Sequence, residues 1–213
     1  MFVPLVDSLR CPNQHDETWL VASIERAEER DIKQGVLGCP SCYAEYPVVD
    51  GVVRFDSAVV RPPFVAPDER HATRIAAALD LTDPRMTALL VGAWGAHAPL
   101  IRAMSPVQLL LVNPPKGIVS GDAVSIILAD GAPLAGSSMD AVAVDATVSD
   151  ATVARLSAAL RGGRRMLGPI SRAVPSFLKE LVRDDEVWVA ELEPGAVTSA
   201  PVLPTRRSRT ENR

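Results

Sequence analysis

The chain has 213 residues, 47% hydrophobic and 23% charged, with a formal net charge of −4. That balance describes a globular protein with a full core, and an acidic chain makes no case for non-specific nucleic-acid binding. Aromatic residues, at 4%, are too few for a base-stacking platform, and no apolar run reaches the roughly 18 residues of a membrane span.

The opening segment MFVPLVDSLRCP lacks the basic start and small-residue cleavage site of a signal peptide. With three cysteines in metal-like spacing, the expected compartment is a reducing cytoplasm. Residues 1–10 form a short strand or turn leading into a Cys11-Pro12 knuckle, with His15 just beyond. Residues 17–32 (ETWLVASIERAEERDI) read as an amphipathic helix, with Leu20, Ile24 and Ala27 on one face and Glu25, Arg26, Glu28, Glu29 and Arg30 solvated. Gly35 ends it. Cys39 and Cys42 then make a C-x2-C knuckle. Cys11, His15, Cys39 and Cys42 together supply the two pairs of soft or borderline donors that tetrahedral zinc takes. The plainer alternative is a set of free cysteines and a surface histidine. Four protein ligands leave no open position, so such a zinc would be structural and would hold together a lobe with little core of its own. Val48-Val49, Asp50-Gly51 and Val52-Val53 read as two short strands about a tight turn.

This stretch, with its CP knuckle, its GVLGCPSC knuckle (35–42) and its YPVVDGV tail (46–52), resembles the zinc-ribbon family that includes the activator subunit of tRNA and protein methyltransferases. The resemblance covers about the first quarter of the chain. It departs from the family at the first knuckle, where Gln14 stands in a cysteine position and His15 takes over as ligand. It implies action through protein contact, with a methyltransferase or translation-related protein as partner, or with the chain's own second domain.

Residues 56–68 are proline-rich and lack a period, as a linker does. Residues 68–81 read as an amphipathic helix with Asp68 as N-cap. A βα alternation follows: an apolar run at 86–95 that breaks into a glycine-bearing turn, strands at 107–113, 124–130, 139–145, 164–170 and 186–192, and helices at 96–104, 149–160 and 173–182. A further strand is expected at 197–203. Near-continuous apolar strands between helices predict an α/β, Rossmann-like, mostly parallel sheet covered on both faces. The expected domains are a zinc-ribbon lobe (1–56), a linker (57–67), the Rossmann-like domain (68–204) and a disordered basic tail (205–213).

The larger part resembles class I S-adenosylmethionine-dependent methyltransferases. The resemblance rests on LLVGAWGAH (89–97) at the glycine turn, LLLVN (109–113), ILADGAPLAGSSMDAVAVD (127–145) and SAALRGGRRMLGPI (157–170). It implies S-adenosylmethionine as cofactor, held by Gly92, Gly95, Asn113 and Asp130. Glycines let backbone approach a ligand, and the helix start behind them favours a carboxylate or phosphate. Asn113 stands where the family has a ribose-binding acid, and Trp94 is bulky where the ligand's amino-acid end would pass. The run Asn113-Pro114-Pro115-Lys116 is similar to the NPP tetrad of amino-methylating enzymes. It follows the second strand instead of the fourth and ends in Lys, so it reads as coincidence. No catalytic constellation stands out. The leading expectation is a non-catalytic or regulatory, zinc-binding, methyltransferase-like protein that does not bind the cofactor. The alternative is an active methyltransferase, which an open pocket beside Gly92, Asn113 and Asp130 would favour and a pocket filled by Trp94 would disfavour. RNA binding by the ribbon and tail is the weakest reading.

Overall fold

The computed structural model describes residues 1–195. Four parallel strands form its centre: β5 (Thr87–Val91), β6 (Gln108–Val112), β7 (Val124–Leu128) and β8 (Met139–Ala143). Their side chains are almost all buried, which is why the sequence shows apolar runs there instead of alternation. Leu89 of β5 sits opposite Leu110 of β6 on one side and Val142 of β8 on the other. β9 (Leu160–Pro169) continues the parallel array beyond β8. An antiparallel hairpin of β10 (Leu178–Arg183) and β11 (Val187–Leu192) closes that side.

The other side is extended by the N-terminal strands. β1 (Val21–Glu28), β2 (Asp31–Gly38), β3 (Glu45–Val49) and β4 (Val52–Arg54) form an antiparallel meander. β4 then pairs in parallel with β7, Val53 opposite Ile127, so one sheet of 11 strands runs in the order β1-β2-β3-β4-β7-β6-β5-β8-β9-β11-β10. The Asp50-Gly51 turn between β3 and β4 has both residues at positive φ, 49° and 76°, as a tight hairpin turn requires.

Among the described residues three α-helices cover the sheet: α1 (Glu69–Ala78), α2 (Ala98–Met104) and α3 (Asp150–Ala159). The Asp68 carboxylate accepts from His71 N–H at 2.8 Å and caps α1, and Ser149 Oγ accepts from Thr152 N–H at 3.2 Å and caps α3. A 3-10 turn, Gly92–His97, links β5 to α2. Two apolar cores lie on the two faces of the sheet, one including Leu89, Leu110 and Val142, the other Leu90, Leu111 and Ala143. No helix among the described residues is long and apolar enough to cross a membrane.

Two expected helices are strands. Residues 17–32 run through β1 and its turn into the start of β2, with Glu29 at φ 53° in the turn. β1 is an edge strand with nearly every side chain exposed. Its mixed charges mimic a helix's polar face, while pairing to β2, whose Ile32 and Leu37 reach the core, overrides helix propensity. Residues 173–182 turn at Pro175 and enter β10. The fully buried Trp188 of β11 donates from Nε1 to Arg172 O at 2.9 Å and fastens that segment to the sheet. The expected strand at 197–203 and the basic tail lie outside the described residues.

Candidate functional site

The knuckles converge at one end of the meander. Cys11 precedes β1, and Cys39 and Cys42 sit in the turn between β2 and β3. The ligand atoms of Cys11, His15, Cys39 and Cys42 all lie within 4.8 Å of one another. Cys11 Sγ is 3.7 Å from Cys42 Sγ, and His15 Nε2 is 3.4 Å from Cys39 Sγ. A tetrahedral ion with standard zinc bond lengths separates two thiolates by about 3.8 Å and a thiolate from an imidazole nitrogen by about 3.6 Å. The donor set therefore fits a closed Cys3His zinc site. His15 Nδ1 is 2.6 Å from Asp16 O, a bond that puts the proton on Nδ1 and leaves the Nε2 lone pair for the metal. Hydrogen bonds from the Ala44 backbone and the Asn13 amide hold the Cys42 thiol down at about 6, while burial pushes Cys11 up. Cys42 is thus the readiest of the pair to present a thiolate.

The second site lies where the parallel strand order reverses, between β5 and β8, outside the carboxyl ends of the strands. Ligands of doubly wound sheets bind at such a point. An open cavity of about 510 Å³ sits there, lined by Gly92, Asn113, Asp130, Thr147, Ser149 and Thr152 among others. That volume is in the range of small-molecule sites. Three of the four residues expected to hold a cofactor meet in this cavity. Gly95 does not: it packs on the loop after β6, where a Cβ would stand 2.7 Å from Pro114 Cβ.

Trp94 leaves the cavity open. Its indole turns away, donates from Nε1 to Val144 O at 2.8 Å, and packs beside the rings of His71 and His97 at 5.9 and 6.0 Å. His97 is buried and accepts at Nδ1 from Asp68 N–H at 3.0 Å, so it braces the start of α1. Asn113, at φ 50°, bridges the strand ends. Its amide donates to Ala129 O at 2.8 Å and its carbonyl accepts from Ala129 N–H at 3.1 Å. Both ends of the side chain are engaged by backbone. Asp130 is exposed at the cavity.

Sequence reasoning missed three parts of this site. Asp145, after β8, places its carboxylate under the glycine turn, where it accepts from Ala93 N–H, from Thr147 N–H at 2.9 Å and from the Thr147 hydroxyl. A Cβ on Gly92, whose φ is +66°, would collide with that carboxylate. Residues 56–62 cross the cavity as a strap, with Asp56, Val59, Val60 and Pro62 in its wall. Arg61 latches the strap. Its guanidinium donates to Pro114 O at 3.0 Å, to Ile118 O at 2.9 Å and to Pro115 O. The Pro114-Pro115 run is therefore a carbonyl receptor for Arg61. The hydroxyl-rich run Asp145–Ala146–Thr147–Val148–Ser149 was the available signal for the first of these.

No family model and no curated protein matches the chain. Distant likenesses exist among solved structures. A Haemonchus contortus phosphoethanolamine N-methyltransferase 2, in complex with phosphomonomethylethanolamine and S-adenosylhomocysteine, is 15% identical over 49% of this chain at a TM-score of 0.42. The match spans only 29% of that protein's length. A Methanococcus maripaludis protein described as a possible S-adenosylmethionine-dependent methyltransferase is 12% identical over 60% of this chain and 85% of its own, at a TM-score of 0.45. A Salinibacter ruber RNA methyltransferase in complex with S-adenosylhomocysteine is 14% identical over 62% of this chain and 96% of its own, at a TM-score of 0.38. The strand order itself, a doubly wound parallel centre closed by the reversed β10–β11 hairpin, gives this chain a class I methyltransferase-like fold, carrying a Cys/His cluster suited to zinc.

Proposed function

We propose that this protein binds an adenosyl ligand of the S-adenosylmethionine type in the switch-point cavity, and that a structural zinc holds its N-terminal meander. The observation that carries the reading is the open cavity beside Gly92 and Asp130, with Trp94 turned out of it. Gly92 lets the backbone come close to a ligand. Asp130 offers an exposed carboxylate to an adenine amine or a ribose hydroxyl. Thr147, Ser149 and Thr152 add hydroxyls on the opposite wall. The strap of residues 56–62 covers one side and limits water there. Zinc would be held by Cys11, His15, Cys39 and Cys42, and its work is folding. Among the described residues no histidine, cysteine, lysine or tyrosine lines the cavity, and the contribution proposed for the lining residues is binding and orientation. A sulfonium ligand brings its own activated carbon, and positioning alone can supply a large share of a rate.

A second reading, the non-catalytic protein that acts through contacts with a partner, draws support from Asn113 and Ala93. Both use polar groups internally that a cofactor would otherwise take. Calorimetric titration with S-adenosylmethionine, S-adenosylhomocysteine and 5′-methylthioadenosine separates the two. The ligand reading expects at least one saturating isotherm, weakened about tenfold or more by Asp130→Ala. No binding of any of the three up to millimolar concentration overturns it in favour of the non-catalytic reading.

A further inference from the structure

The charges around the cavity indicate which end of a ligand it accepts, an inference that rests on the adenosyl-ligand reading above. A glycine turn leading into a helix ordinarily offers free N–H groups to a ligand carboxylate. Here Ala93 N–H already donates to Asp145. That carboxylate is buried, at 7% exposure, and is fastened on its other oxygen by the backbone and hydroxyl of Thr147. Asp145 lies against Gly92 of the cavity wall, and two other carboxylates line the cavity itself. Asp56 accepts from Ala58 N–H at 2.7 Å, and Asp130 is exposed, with no ion pair among the described residues. Among the described residues no Lys, Arg or His lines the cavity. Arg155 is the nearest cation, with Nη1 3.0 Å from where a Cβ on the lining Gly131 would stand.

We propose that the cavity selects an adenosyl sulfonium whose side chain ends in an amine without a carboxylate, as decarboxylated S-adenosylmethionine does, over S-adenosylmethionine itself. A ligand carboxylate brought to the glycine turn finds the donor taken and meets the charge of Asp145. Like charges brought together this way reject a ligand. An ammonium brought there meets the carboxylate of Asp145 instead. Asp145 is thus the specificity-determining residue, and Asp130 acts on every adenosyl ligand alike.

The test is calorimetric titration of the full chain with decarboxylated S-adenosylmethionine, S-adenosylmethionine and 5′-methylthioadenosine. The expected result is a dissociation constant at least about tenfold lower for the decarboxylated ligand than for S-adenosylmethionine. Equal affinities, or a preference for the carboxylate-bearing ligand, overturn the proposal while leaving the adenosyl reading intact. Failure of all three to bind overturns both. In Asp145→Asn the preference shrinks because the charge is gone, whereas Asp130→Asn weakens all three ligands by a similar factor. A folded Asp145→Asn protein that keeps the full preference overturns the role of Asp145. Where that variant does not fold, the wild-type ratio decides.

Discussion

At the scale of single residues, the account makes two predictions away from the cavity. Burial pushes the His97 imidazole below its ordinary value of 6.5, and the neighbouring His71 adds to this. Its neutral Nδ1 is needed to accept from Asp68 N–H. For a base depressed in this way the unfolded chain binds more protons, so stability rises with pH. It is fully present above pH 6.5 and is lost as pH falls through the lower folded value. Thermal melts of wild type should therefore lose Tm on acidification below pH 6.5 more steeply than those of His97→Asn, and parallel profiles would contradict this assignment. At the other site, the zinc proposal expects metal analysis to give one zinc per chain for wild type and none for Cys39→Ser, whose N-terminal meander should unfold because binding energy at a structural zinc is folding energy. The cluster of Cys11, His15, Cys39 and Cys42 was legible in the sequence because the spacing is local within each knuckle. Asp145 was not, because a carboxylate 53 positions after Gly92 meets that turn only once β8 lies beside β5.

Among the elements, the strap and the closing hairpin carry most of what can be tested. Arg61 satisfies three backbone carbonyls without a carboxylate partner among the described residues. Arg61→Met should cost about 1–3 kcal/mol, the scale of buried acceptors left unpaired. It should also speed amide hydrogen exchange across residues 56–62. Unchanged exchange there would contradict a latch. Beside the hairpin, a Cβ on Gly168 of β9 would collide with the ring of the buried Trp188 of β11. Gly168→Ala should therefore lose about 1–3 kcal/mol in denaturant unfolding, as overpacked cores do. The central strands were readable because apolar runs buried on both faces have few alternatives. The β1–β2 hairpin was not readable, because an exposed edge strand with mixed charge carries no strand alternation and its stability comes from pairing with β2. The segment 173–182 failed for a related reason: Trp188, distant in sequence, decides its course.

For the molecule as a whole, the N-terminal meander and the doubly wound domain share one sheet, joined by the parallel β4–β7 pair. They are also joined across the top, where Arg10 N–H donates to Pro133 O at 2.8 Å and Ala135 N–H donates to Ser8 O at 2.9 Å. The segment so clamped follows directly on Asp130 and Gly131 of the cavity wall. Removal of zinc with a chelator should therefore raise hydrogen exchange in residues 130–135 as well as in the knuckles, and an effect confined to the knuckles would contradict that connection. The central claim is that the cavity at the strand switch point takes an adenosyl ligand. Its most direct test is a crystal structure of the zinc-loaded protein soaked with 5′-methylthioadenosine. The account predicts adenosyl density between Gly92, Asp130 and Thr147 beneath the strap. An empty cavity at full soak, or density elsewhere on the molecule, would contradict it.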